Sequence, residues 1–320
     1  KKDIYSPTNI LLIHIKGFLQ TKSQMPLSIE YLEDCSKQEF LRKMVDVDIF
    51  LTSFMVVDEE VMQHAKRLKL IVICATGFGN IDIVSAKKYG IKVCPIREYC
   101  TQEVADHTLL LLLASARKLN AYEEKVYQEK NWDYDVPNVI CLHDKTLAIY
   151  GFGRIGQAVA NRAKAFGMHV IVYHPHFPEE LARQLGVELV KEKEIFQRAD
   201  IISNHMSENA SNVGKFNQLF FSQLKKEPIF INAGRGSAVN EPDLKEALEK
   251  HHLSFAALDV LSSEHPDLEN HPLFKRADVL LTPHAAFYSE DSQKKLLDVP
   301  LGQILSFLNG KESELYNVAK

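Results

Sequence analysis

One stretch restricts the fold more than any other: "TLAIYGFGRIGQAVANRAKAFG", residues 146–167. An apolar run of strand character leads directly into Gly151, Gly153 and Gly156, and a segment with helical spacing opens inside that glycine pattern. In a strand–turn–helix unit each glycine has its own reason. Gly151 permits the tight turn, Gly153 lets backbone approach a pyrophosphate, and Gly156 lets the helix sit close to the strand. The helix N-terminus then faces the phosphates with unpaired N–H groups. A lone G-x-G-x-x-G says little; a strand before it and a helix after it make it a dinucleotide-binding turn.

The rest of the chain agrees with such a unit. "NILLIHI", "VDIFLTS", "LKLIVICA" and "IKVCPI" read as buried strands, with "DEEVMQHAKRL" and "NIDIVSAKKYG" as helices between them, the second closing on a glycine. A long helix is expected over 100–130. A second series of strands follows: "KTLAIYG", "HVIVYH", "ADIISNH", "PIFINAG", "LSFAALDV" and "DVLLTPH". Helices are expected at 154–166, 179–185, 214–225 and 241–250, and in the tail after 285. Strands that are apolar throughout, alternating with helices, argue for parallel sheets covered on both faces. The expected fold class is α/β with two doubly wound parallel-sheet domains, the tail returning to the first.

Composition excludes several partners. With 42 acidic and 38 basic side chains in 320 residues the chain has no broad basic face, which argues against nucleic acid or anionic membrane as its partner. The longest apolar run, "TLLLLLASA", is shorter than the ~20 residues that span a bilayer. The five cysteines show no C-x-x-C spacing, sit mostly in apolar stretches and read as buried hydrophobes of a reducing, cytoplasmic compartment rather than as catalytic thiols or metal ligands.

Three later stretches end strands: "INAGRGSAVNE", "ALDVLSSEHPDL" and "LLTPHAAFYSEDS". Ligands of doubly wound sheets bind at the carboxyl ends of the strands, so Arg235, Asp259, Glu264 and His284 can converge there. Reducing a 2-oxo acid by hydride transfer needs such a set. A guanidinium grips the carboxylate, an imidazolium protonates the carbonyl oxygen, and a carboxylate beside the imidazole orients it.

These stretches, with "GFGNID", "EVADHTLLLLLASAR" and "YGFGRIG", occur in one order from about residue 70 to 295, and in that order the chain resembles the D-isomer-specific 2-hydroxyacid dehydrogenases. The resemblance implies a Rossmann domain for NAD(P) at 100–284, inserted into a flavodoxin-like substrate-binding domain made of 1–99 and 285–320. It implies Arg235, Glu264 and His284 as the catalytic set, with Arg235 anchoring the substrate carboxylate, helped by Thr76 and Gly77. Thr76, Gly151, Gly153, Arg154, Ile155, Gly156, His174, Met206, Ala233, Asp259 and His284 would line the cofactor site, Asp259 meeting the nicotinamide carboxamide. It also implies a homodimer with the helix after residue 100 in the interface, and cleft closure over the substrate.

Departures from the family pattern sharpen the expectation. The tip of the strand after the glycine loop reads Tyr173, His174, Pro175, His176, where the family carries an Asp for the adenosine ribose. A neutral histidine offers one acceptor to a hydroxyl but no charge to repel a 2′-phosphate. NAD is therefore the expected cofactor with NADP left open, Glu179 and Glu180 being the available substitute carboxylates. In the segment "HMSEN", Ser207 replaces the family's proline and Asn209 follows where threonine is usual. The stretch "FLTSFMVV" has Thr52, Ser53, Phe54 and Met55 where the phosphoglycerate branch places arginines. A small, non-phosphorylated 2-oxo acid is the expected substrate, with Phe287 and Tyr288 as a wall of its site or as core. Two other readings stay open: a dinucleotide-sensing, corepressor-like binding protein, and a dehydrogenase of a small inorganic or one-carbon anion.

Overall fold

The computed structural model describes residues 27–29, 36–53 and 55–319; the strand expected at 9–15, Cys35 and Phe54 lie outside these. The chain forms two compact units, one of residues 1–99 and 289–320 and one of 100–288. The second boundary falls after Tyr288 rather than after His284. The reason is local: the buried Asp259 carboxylate accepts the backbone N–H groups of Ala285 and Ala286 and keeps them with the second unit.

In the first unit β1 (Ile49–Thr52), β2 (Leu70–Ile73) and β3 (Lys92–Pro95) form a parallel sheet in the order β1-β2-β3. Side chains of β2 alternate across it. Ile71 and Ile73 join Phe40 and Met44 of α1 (Lys37–Met44) and Val61 and Met62 of α2 (Glu59–His64). Leu70 and Val72 face Leu301 and Ile304 of the helix Glu290–Leu308, the predicted returning tail. That helix starts on a capping box made by Ser289 and Ser292. Between β2 and β3, α3 (Ile83–Lys88) is capped by Asp82, and the chain turns out of it at Gly90, φ +70°.

The second unit opens with α4 (Thr101–Ala116). The single helix expected over 100–130 stops there. Lys118 takes the left-handed conformation, φ 53°, and Ile140 N–H claims the Ala116 carbonyl, so the chain restarts as the short helix Leu119–Glu123 and a π turn at Glu124–Gln128. Seven parallel strands follow: β4 (Thr146–Tyr150), β5 (His169–Tyr173), β6 (Glu188–Leu189), β7 (Ile201–Asn204), β8 (Ile229–Asn232), β9 (Phe255–Leu258) and β10 (Val279–Leu281). Their order is β10-β9-β8-β7-β4-β5-β6, which puts the topological switch point between β4 and β7. β6 was not anticipated; two residues on a partly exposed edge leave no apolar run to read.

One face of this sheet packs on α4 and α5 (Arg154–Ala165), through Leu109, Leu111, Leu112, Val159 and Ala163. Beyond α6 (Glu179–Gln184) and α7 (Glu192–Arg198), the predicted helix 214–225 shortens to α8 (Gln218–Phe221). The residues before it pair instead with the chain after β8, at the Phe216–Val239 bridge. The helix α9 (Glu241–Glu249) begins at Asn240, whose side chain accepts the Asp243 N–H. On this second face Tyr150, Phe196, Phe216, Phe220, Phe221 and Phe230 form an edge-to-face cluster with centroids 4.9–5.7 Å apart. No described helix is long and apolar enough to cross a membrane.

Phe220 touches four rings of that cluster, and its neighbour Leu219 is 73% exposed. Phe220→Ala should cost about 3–5 kcal/mol, whereas Leu219→Ala should stay within roughly 0.5 kcal/mol. Urea unfolding followed by circular dichroism measures both, and equal effects would contradict the packing described.

Candidate active site

The glycine loop has the geometry its sequence implies. Gly151 sits at φ +86°, and a Cβ there would lie 2.7 Å from the His205 backbone. A Cβ on Gly156 would lie 2.4 Å from the Gly151 carbonyl oxygen, so helix and turn touch only because it is absent. Gly153 differs: nothing lies within 4 Å of its Cβ position, and as N-cap of α5 it brings no capping side chain. Open space before an uncapped helix N-terminus at the switch point suits a dinucleotide pyrophosphate.

His174 stands at the end of β5, and its Nδ1 accepts the Phe152 N–H of the glycine loop at 3.0 Å. Burial, and then the neighbouring His176, hold its pKa below the ordinary histidine value. The ring is therefore neutral with its proton on Nε2. This corrects the expected role: the acceptor is consumed by the loop, and what remains for a ribose is a donor. Of the two substitute carboxylates, one is already engaged. Glu180 pairs with Arg183 at 2.7 Å. Glu179, the first residue of α6, is exposed.

Met206 follows β7 and donates its N–H to Asn204 Oδ1 at 3.1 Å. Asn209 closes its own turn by accepting from the backbone and hydroxyl of Ser211, which supplies the rigidity that the replaced proline would give. Asn204 and Asn232 end β7 and β8 as a buried pair, Nδ2 to Oδ1 at 2.9 Å. Asn232 also accepts the Gly234 N–H and donates to the Arg235 carbonyl. It thereby shapes the turn after Ala233. Motif reading missed both asparagines; the signal was a polar residue ending each apolar strand.

Arg235 is half-buried on this turn, with Nη1 on the Gly234 carbonyl at 2.8 Å. The glycine after it is obligatory, since a Cβ on Gly236 would lie 1.7 Å from the Leu261 carbonyl oxygen. That contact lays the loop after β9 against the arginine turn. Glu241 fastens the same loop, accepting the Ser262 N–H at 2.6 Å and pairing with His271 at 3.1 Å. Glu264, carried by this loop, meets His284 Nδ1 at 2.8 Å through Oε2 and 3.0 Å through Oε1. The structure thus brings Glu264 and His284 into direct contact beside the Arg235 turn.

Asp259 is 1% exposed. Oδ1 takes Thr282 Oγ1 at 2.6 Å and Ala285 N–H at 2.9 Å, and Oδ2 takes Ala286 N–H at 3.0 Å. Burial pushes its pKa up, but hydrogen bonds from His107, Thr282, Ala286 and Ala285 outweigh this and hold it below the ordinary value. Its carboxylate is largely committed to the chain itself, Oδ2 alone keeping capacity for one more donor. Phe287 stands edge-on to the His284 ring at 6.0 Å and Tyr288 is exposed, so neither is core. Thr76 and Gly77 follow β2 in the first unit, Thr76 exposed and Gly77 half-buried. The nearby Cys74 thiol is pushed up to about 12 by burial, which makes it a poor nucleophile. No group of potential metal ligands occurs among the described residues.

Fold and site together define a dinucleotide-binding protein of the doubly wound class. Residues 109–286 match the family described as "D-isomer specific 2-hydroxyacid dehydrogenase, NAD binding domain". The D-3-phosphoglycerate dehydrogenase of Methanocaldococcus jannaschii is 35% identical over 288 residues, 89% of this chain and 54% of that protein. The glyoxylate reductase of Korarchaeum cryptofilum is 30% identical over 282 residues, 86% of this chain and 84% of that one. Among solved structures, D-lactate dehydrogenase from Aquifex aeolicus, complexed with NAD and lactic acid, superposes with a TM-score of 0.81 at 27% identity, covering 88% and 89% of the two chains. The chain belongs to the D-isomer specific 2-hydroxyacid dehydrogenase family. It spans about half the length of the phosphoglycerate dehydrogenases it matches.

His205, behind the glycine loop, generates a pH effect. Its Nδ1 is buried without a partner and burial lowers its pKa from 6.5 to about 4. Between those values the unfolded chain binds a proton that the folded chain refuses, so stability is complete above pH 6.5 and declines as pH falls towards 4. The loss should approach about 3 kcal/mol. Urea midpoints at pH 7.5 and 4.5 should fall further for the wild type than for His205→Asn; equal falls would show that the ring titrates normally.

Proposed function

We propose that the chain reduces a small, non-phosphorylated 2-oxo acid to the D-2-hydroxy acid with a nicotinamide dinucleotide. The observation that carries this reading is the 2.8 Å Glu264–His284 contact beside the Arg235 turn, at the carboxyl edge of a dinucleotide-binding sheet. The glycine loop, the backbone of Arg154 and Ile155, His174, Met206, Ala233 and Asp259 would hold the cofactor, with Thr76 contributing from the first unit. Bound there, the nicotinamide supplies the hydride.

The chain's own groups do the rest. Arg235 holds the substrate carboxylate in a bidentate grip, with backbone at Thr76 and Gly77 sharing it. His284 donates its Nδ1 proton in a hydrogen bond to Glu264, which fixes the tautomer and leaves Nε2–H to protonate the carbonyl oxygen. Hydride at carbon and this proton at oxygen complete the hydroxy acid. Glu264 stabilises the imidazolium before the transfer, and solvent reprotonates the ring afterwards. A small unphosphorylated substrate is supported by the lack of any cation at Thr52, Ser53, Phe54 and Met55.

The same chain supports a reading of quaternary structure and location. A homodimer is supported by large side chains left exposed after α4: Trp132 at 92%, Tyr134 at 88%, with Leu110 on α4 itself. Free thiols at Cys74 and Cys141 suit a reducing cytoplasm.

Arg235→Ala should raise KM and lower kcat/KM about a hundredfold, the worth of one charge-assisted pair. His284→Ala should lower kcat by roughly 10²–10⁴ while leaving dinucleotide binding measurable. Steady-state kinetics over a series of 2-oxo acids decides: dinucleotide binding with no turnover of any of them would instead support a dinucleotide sensor.

The donor face of His174 leaves both cofactors admissible. Titrations followed by cofactor fluorescence should give NADH and NADPH affinities within about tenfold of each other, a gap of about 1.4 kcal/mol. His174→Asp should weaken NADPH selectively by placing a carboxylate against its 2′-phosphate. Tight NADH beside undetectable NADPH in the wild type would refute this.

A further inference from the structure

The helix α4 is apolar over most of its surface, yet His107 lies within it with its side chain only 16% exposed. Its Nε2 is 3.0 Å from Thr282 Oγ1 and 3.4 Å from Asp259 Oδ1. The direction of these bonds is determined by chemistry. An ionised carboxylate only accepts, so the Thr282 hydroxyl donates to Asp259 at 2.6 Å. Having spent its proton, Thr282 Oγ1 must accept from His107, which therefore carries a proton on Nε2. His107 is the outer member of a chain of donors that ends on one buried carboxylate.

That carboxylate holds the segment bearing His284. Ala285 and Ala286 donate their N–H groups to Asp259 Oδ1 and Oδ2, and His284 donates its own N–H to the Asp259 carbonyl at 2.7 Å. Three successive amides thus converge on one residue. They hold His284 at φ 51°, in the left-handed region that L side chains disfavour. A histidine stays there only with rigid support, and in that conformation its ring meets Glu264.

We propose that His107 is a positioning residue for His284: through Thr282 it fixes the Asp259 carboxylate, and through Asp259 the backbone that aims the His284 ring at Glu264. This rests on the reading of His284 as proton donor, but it concerns the ring's placement and is measurable without turnover.

The test uses full-length protein carrying ¹⁵N-histidine, with wild type, His107→Ala, His107→Gln and Thr282→Val compared. Gln keeps an N–H donor at about the reach of Nε2. The wild type should show a downfield His284 Nδ1–H resonance from the bond to Glu264, assigned by its absence in His284→Ala. His107→Ala and Thr282→Val should lose or broaden it, and His107→Gln should retain it. In kinetics, His107→Ala should lower kcat by about tenfold to a hundredfold, the scale of a small misplacement, with KM for the 2-oxo acid little changed and Gln restoring most of the rate. An unchanged resonance in His107→Ala would overturn the proposal. So would equal losses in Ala and Gln that follow a common fall in Tm, since His107 would then merely fill space. If the wild type turns over no 2-oxo acid, the functional reading fails while the resonance still decides the role of His107.

Discussion

All seven strands of the larger sheet run the same way, and both faces are sealed by helices or by the aromatic cluster. Polar groups on such strands gather mainly at the ends. Asn204 ends β7 and Asn232 ends β8, while Asp259 and Thr282 directly follow β9 and β10; all four lie along one edge, with the glycine loop at the switch point. Chain direction is therefore the constraint from which the site follows. It collects hydrogen-bonding side chains from segments far apart in sequence without any loop having to seek them out.

Collecting such groups creates a cost that the structure meets locally. A carboxylate as deeply buried as Asp259 is tolerable only if its oxygens are satisfied, and the donors that satisfy it belong to the loop that must be held still. Desolvation and loop order are solved by the same three hydrogen bonds. Gly236 plays the corresponding part for the arginine turn: a missing side chain lets the Leu261 carbonyl pass, and Glu241 then fastens that loop from the first turn of α9.

Much of this was legible in the sequence because it depends on local pattern. The strands of both units within the described residues, β6 aside, the glycine loop and the returning tail follow from apolar runs and glycine spacing, while the Glu264–His284 partnership follows from the family resemblance. What escaped depended on distant contacts. The break after Ala116 is made by a hydrogen bond from Ile140, and α8 is cut short by pairing of Phe216 with Val239; neither partner is visible from its own segment. His107 read as part of an apolar helix because its hydrogen-bond partners lie more than 150 residues away.

The exposure of Trp132 has an optical consequence. It is the only tryptophan in the chain and stands 92% exposed on the segment that follows α4, away from every core cluster. In a single copy its indole already sits in water, so unfolding the sheet would change its emission little, whereas burying it against another surface would shift that emission to the blue. The indole is thus a poor thermometer of the fold and a built-in reporter of any contact that covers it.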